Sequence, residues 1–119
     1  MANPVGWFEV VGKDGARLRS FYGDLFSWEI APSGGEMDYG VVAAAGKGIP
    51  GGIGSSADGD TGHVTFYVEV DDPAAYLARA ETLGGRTVQP PTDIPGFDLT
   101  IAMFSDPEGH VVGLMRSGA

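Results

Sequence analysis

His63-Val64-Thr65-Phe66-Tyr67-Val68-Glu69-Val70-Asp71-Asp72-Pro73 decides the fold. The first eight residues alternate and are rich in β-branched and aromatic side chains, as a half-buried strand requires. Asp72 then offers a carboxylate to the free N–H groups of a helix start, and Pro73 occupies the favoured first helical position. Tyr76, Leu77, Ala80 and Leu83 supply an apolar helix face, and Gly84-Gly85 ends the helix through a left-handed turn. Arg86 to Gln89 reads as a strand and Pro90 to Phe97 as a proline-bearing loop. Asp98 to Phe104 and His110 to Arg116 read as the last strands, joined by Asp106-Pro107-Glu108-Gly109.

Working back, the same pattern occurs once before. Val5 to Val11 reads as a strand and Asp14 as a helix N-cap. Leu18, Phe21, Tyr22 and Leu25 follow at helical spacing, predicting a helix from about Gly15 to Phe26. Further strands are expected at Trp28–Ile30, Met37–Ala45 and Gly51–Ser56. The offset relating Asp14 to Asp72 also relates Phe8 to Phe66, Val10 to Val68 and Leu25 to Leu83. Such an internal repeat dictates architecture. The order is βαβββ twice, an α+β domain with modules at about 5–57 and 62–117. Asp58-Gly59-Asp60-Thr61-Gly62 has linker composition.

Composition narrows the function. The chain has 119 residues, which suits one domain, and no cysteine, which excludes disulfides and thiolate metal sites. Sixteen acidic against seven basic residues give a formal charge of −9, which repels phosphate backbones and anionic lipids. No nucleic-acid partner is expected. No apolar run reaches the ~20 residues of a membrane span. Met1-Ala2-Asn3-Pro4 carries no signal-peptide pattern. A soluble cytoplasmic protein is the expectation.

The chain resembles the vicinal oxygen chelate superfamily, which includes lactoylglutathione lyases, bleomycin-resistance proteins and extradiol dioxygenases. The residues that carry the resemblance are Phe21-Tyr22-Gly23-Asp24-Leu25-Phe26-Ser27-Trp28, Ala80-Glu81-Thr82-Leu83-Gly84-Gly85 and Asp106-Pro107-Glu108-Gly109-His110. The loop Pro90-Pro91-Thr92-Asp93-Ile94-Pro95-Gly96 adds to them. The resemblance implies curled mixed sheets that enclose one cavity, and a homodimer. It also implies a His at the start of each module's first strand and a Glu near the end of each last strand, as metal ligands. Counting from the helix-start aspartates and from Gly109 puts those positions on Trp7, Thr65, Gly52 and Gly113. None is a strong ligand, so no cofactor is expected and the metal site is read as none.

Strand parity sends Phe8 and Val10 under the first helix and turns Trp7, Glu9 and Val11 to the other face. In the second module Val64, Phe66, Val68 and Val70 are expected under the helix, with His63, Thr65, Tyr67 and Glu69 opposite. Trp7, Glu9, Gly52, Thr65, Tyr67 and Gly113 are thus the expected cavity residues, with Phe97 as a lid. Gly52 and Gly113 are expected to leave room there. Glu9 and His63 are the candidate catalytic residues.

Each residue also has a structural alternative: Trp7 as core packing, Glu69 as a wet strand end, His63 as a flank of the linker. The leading function is a metal-free small-molecule binder. The alternatives are a lyase, isomerase or dioxygenase with a metal relocated to Glu9, His63 and Tyr67, metal-free acid/base catalysis, or a pure interaction module.

Overall fold

The computed structural model describes residues 2–33, 38–57, 59 and 61–117. Met37, where the third strand was expected to begin, lies outside the described residues, as do Asp58 and Asp60 of the expected linker. The elements are β1 (Val5–Gly12), α1 (Gly15–Phe26), β2 (Ile30–Pro32), β3 (Tyr39–Val42), β4 (Gly51–Ser55), β5 (His63–Glu69), α2 (Pro73–Thr82), β6 (Arg86–Ile94), β7 (Leu99–Ser105) and β8 (Val111–Ser117). The βαβββ order therefore occurs twice, and the fold is α+β. The residues group into two compact units: Trp7–Val64, and Thr65 onward together with the first residues up to Gly6.

Within Trp7–Val64 the strand order is β2-β3-β4-β1. β1 and β4 run parallel, with Glu9 opposite Gly52, while β3 pairs antiparallel with both β4 and β2. α1 starts where Asp14 accepts a hydrogen bond from the Arg17 N–H at 3.1 Å, relieving one free donor of the first turn. It ends at Ser27, which takes a left-handed conformation at φ 59°. That turn delays the next strand to Ile30. Trp28, expected inside it, instead packs its indole against Phe8, Tyr22 and Phe26, with ring centroids 5.4, 6.0 and 5.1 Å away. Phe8 thus lies on the helix side, as its parity requires. Ile53 and Val42 are the largest fully buried side chains. Phe21 and Leu25 stay more than half exposed, so only part of the predicted helical stripe is covered.

The unit beginning at Thr65 repeats this plan in the order β5-β8-β7-β6, with Tyr67 opposite Gly113 in the parallel β5–β8 pair. Asp72 accepts from the Ala75 N–H at 3.2 Å and Pro73 opens α2. Gly84, at φ 102°, provides the left-handed turn that ends it. The core consists of Val70, Leu77, Ala102 and Leu114, with Val68, Tyr76 and Phe104 packed against it.

Two expectations fail here. Val64 and Phe66 do not pack under the helix and are 77% and 42% exposed. α2 lies over β6, β7 and β8 and covers only the Val68–Val70 end of the apolar stripe. The segment read as a loop from Pro90 is mostly strand, since β6 continues to Ile94. Register shifts between Thr87 and Gln89 and between Gln89 and Thr92 accommodate the two prolines, on a strand at the end of this unit's order.

The β7–β8 turn is built on one carboxylate. Asp106 accepts from the backbone N–H groups of Glu108 at 2.9 Å and His110 at 3.0 Å, with the His110 ring Nδ1 2.9 Å from its other oxygen. The His110 backbone bond, followed by its ring and the Glu108 N–H, holds the carboxyl below its ordinary value of 3.8. A group whose pKa is lowered on folding stabilises the fold above its unfolded pKa, and that contribution disappears as pH falls through the folded one. Asp106→Asn should therefore be less stable than the parent near neutral pH in urea titrations. The gap should close as pH drops below the ordinary carboxylate range. Ile53→Ala, which empties a fully buried site, should cost about 2–5 kcal/mol at every pH.

Candidate functional site

The face of β1 turned away from α1 carries Trp7 and Glu9. Three hydrogen bonds link them to Tyr39 of β3 and His63 of β5, all within Trp7–Val64. The Trp7 indole N–H donates to the Tyr39 hydroxyl at 3.1 Å. The Tyr39 hydroxyl donates to Glu9 Oε2 at 2.8 Å. His63 Nε2 lies 2.7 Å from Glu9 Oε1. The Glu9 side chain is 13% exposed and that of His63 33%, so the imidazole is the more exposed partner of this contact. Charge-assisted bonds of this kind are among the stronger contacts in proteins and hold their groups in one orientation.

Tyr39 is the member that sequence reasoning missed. Gly52 was expected to leave open space, but the Tyr39 ring and hydroxyl occupy the place where a Cβ at position 52 would project. Tyr39 stands opposite Gly54 and Val41 opposite Gly52, so the phenol reaches diagonally across the strand pair. A glycine in the middle of a strand often marks such a close approach, and that signal could have pointed to an aromatic on the neighbouring strand.

The other expected residues lie in the second unit. Gly113 does not leave open space either, because the Tyr67 ring lies where its Cβ would be. The Thr65 hydroxyl donates to the Val111 carbonyl at 2.6 Å. Phe97 is half-exposed in the turn joining β6 and β7. Trp7, Glu9, Gly52 and His63 are therefore brought together in one unit, and Thr65, Tyr67 and Gly113 in the other.

A divalent ion needs three or more oxygen or nitrogen donors about 2 Å away. At the positions where the resemblance places ligands, the Trp7 N–H and the Thr65 hydroxyl are engaged with Tyr39 and Val111, and Gly52 and Gly113 are covered by tyrosine rings. Indole N–H is a donor only. These residues do not fit that metal. Among the described residues no three His, Asp or Glu side chains gather into a group that could hold a metal ion.

A second feature anchors α1. Asp38 accepts from the Ser55 hydroxyl and from Arg19, whose other terminal nitrogen donates to the Ile53 carbonyl at 3.1 Å. Ser55 Oγ also accepts from the Gly15 N–H at 2.8 Å, at the helix start. The Ser55 bond, then Arg19, holds the Asp38 carboxyl below its ordinary range. An open groove of about 710 Å³ lies beside this network, lined by Arg19, Asp24, Trp28, Ile30 and Asp38 among others. Apart from Tyr39, it is not lined by the hydrogen-bonded cluster.

Comparison with known proteins agrees with this architecture. Residues 9–115 match the glyoxalase-like domain family, and the chain belongs to that family. It is similar to the anthracycline biosynthesis protein DnrV of Streptomyces peucetius, 29% identical over 94% of this chain and 46% of that protein. It is also similar to the putative glyoxylase CFP32 of Mycobacterium tuberculosis, 31% identical over 76% of this chain and 33% of that protein. The chain thus spans less than half the length of these relatives.

Among solved structures, methylmalonyl-CoA epimerase from Mycobacterium tuberculosis superposes with a TM-score of 0.72 at 14% identity, covering 97% of this chain and 88% of that one. A glyoxalase/bleomycin resistance protein/dioxygenase superfamily member from Vibrio splendidus gives 0.65 at 14% identity, covering 98% and 100%. The fold is that of this superfamily. No helix among the described residues is long and apolar enough to cross a membrane.

Removing the Tyr39 hydroxyl tests the geometry of the cluster. Tyr39→Phe keeps the ring over Gly52 but leaves the Trp7 N–H and Glu9 without that partner. It should lower unfolding free energy by about 1–2 kcal/mol and alter the near-ultraviolet dichroism of the tryptophans.

Proposed function

We propose that this glyoxalase-like domain binds a small organic molecule on the face formed by Trp7, Glu9, Tyr39 and His63, without the divalent metal of its superfamily. The observation that carries this reading is the hydrogen-bonded chain itself. It ends in a partly exposed imidazole, beside aromatic groups that offer flat surfaces to a ring. A few oriented polar groups among aromatic ones are what small-ligand sites commonly present. The tyrosines over Gly52 and Gly113 support the metal-free part of the reading, because they occupy the places from which carboxylate ligands would project.

One of these relatives is named for anthracycline biosynthesis, so aromatic compounds of that type are the first ligand class to try. Enzymatic proton transfer is the second reading, favoured by the 2.7 Å contact between His63 and Glu9.

Binding should quench tryptophan fluorescence saturably. Trp7→Phe should remove most of that response, and Glu9→Gln should weaken affinity about tenfold, the equivalent of one charge-assisted hydrogen bond. Elemental analysis of protein purified without chelators should find less than one divalent ion per chain. One tightly held ion per chain would overturn the metal-free reading. Unchanged affinity in both variants would overturn the assignment of the face.

A further inference from the structure

We propose that His63 Nδ1 is a proton acceptor for an acidic hydroxyl, that of a phenol or enol, and that Glu9 and Tyr39 are positioning residues for it. This rests on the small-molecule reading above and assigns a role to each group of the same cluster. The argument begins with the donors. Glu9 as a carboxylate can only accept hydrogen bonds, and its contact with His63 Nε2 is 2.7 Å. The proton in that contact therefore belongs to Nε2. In a neutral imidazole, a proton on Nε2 leaves Nδ1 with its lone pair. The only partner of the His63 ring among the described residues is Glu9, so Nδ1 is available to a ligand.

The other members determine which way that lone pair points. Glu9 cannot swing freely, because its second oxygen accepts from the Tyr39 hydroxyl at 2.8 Å. Tyr39 in turn receives the Trp7 N–H at 3.1 Å, and its ring and hydroxyl occupy the place where a side chain at position 52 would project and displace them. Strand pairing thus aims the imidazole through a chain of three bonds. A carboxylate behind an imidazole fixes its tautomer and stabilises the imidazolium formed when the other nitrogen takes a proton.

The chemistry selects the ligand class. A hydroxyl placed at Nδ1 gives up its proton: the O–H bond breaks, an N–H bond forms at Nδ1, and the electron pair stays on oxygen. The products are an oxyanion and an imidazolium paired with Glu9. An alcohol is too weak an acid for this transfer, whereas phenols and enols are acidic enough. The Trp7 indole lies in the same chain and presents an aromatic surface to such a planar ligand.

The probe is 4-nitrophenol, whose phenolate absorbs in the visible, titrated with protein at a pH where the free phenol is mostly neutral. The parent protein should bind it and raise the phenolate band. His63→Gln, folded by circular dichroism, should lower phenolate formation at least about tenfold. Glu9→Gln should lower it less, and a heteronuclear spectrum of ¹⁵N-histidine-labelled protein should show the proton on Nε2 in the parent and a mixture of tautomers in Glu9→Gln. 4-Nitroanisole, which has no proton to give, should quench tryptophan without any His63 shift.

Full phenolate formation in His63→Gln, no binding of 4-nitrophenol, or an Nδ1-protonated tautomer in the free protein would each overturn the inference. Quenching by 4-nitroanisole in those cases would leave the small-molecule reading standing. Loss of both ligands' binding would remove that reading as well.

Discussion

In each module the first and last strands run parallel, and a glycine of the last strand stands opposite a larger residue of the first. Glu9 faces Gly52 in one module and Tyr67 faces Gly113 in the other. The glycine lets an aromatic ring lie directly on the backbone, Tyr39 in the first case and Tyr67 in the second. Much else follows from that close approach. A Cβ at Gly52 would expel Tyr39. The Trp7 N–H and one Glu9 oxygen would then lose the group that joins them, and His63 would lose its fixed counterpart. Tight interiors tolerate no such intrusion without movement of their neighbours.

The same close approach fills the positions at which the superfamily resemblance places metal ligands. Positions that would offer histidine or glutamate hold Trp7, Thr65, Gly52 and Gly113. The space is filled by hydrogen-bonded tyrosine and tryptophan, which are poor ligands for a divalent ion but good at orienting a carboxylate. Function on this scaffold depends on which side chains a site carries, and the fold alone does not select them.

Much of the fold was legible because it rests on short-range rules. Asp14 and Asp72 cap their helices as predicted, α1 occupies the predicted span, and the repeated element order follows from matching the two strand-to-helix junctions. Errors arose where a distant partner decides the outcome. Trp28 reads as a strand residue by composition, yet the left-handed turn at Ser27 sends it into an aromatic cluster. Pro90 and Pro91 read as a loop, yet an edge position and two register shifts keep them in β6. Val64 and Phe66 continue a perfect apolar alternation, yet α2 lies over other strands and leaves them exposed. Periodicity reports which face a residue is on and is silent about what covers that face.

The candidate site divides the same way. Alternation along β1 and β5 was enough to put Trp7 and Glu9 on one face and to turn His63 away from Val64, since successive side chains in a strand point to opposite sides. That Glu9 meets His63, and that Tyr39 joins Glu9 to Trp7, depended on three strands coming together from separate parts of the chain. The sequence by itself determined the repeat, the helix starts and the faces, because those are set by neighbours a few residues away. Only the tertiary structure decided which face-sharing residues touch, and that Gly52 is a seat for Tyr39 and not an opening. A one-residue change of register turns every side chain of a strand to the other face, and the strands that meet here are separated by long stretches of chain.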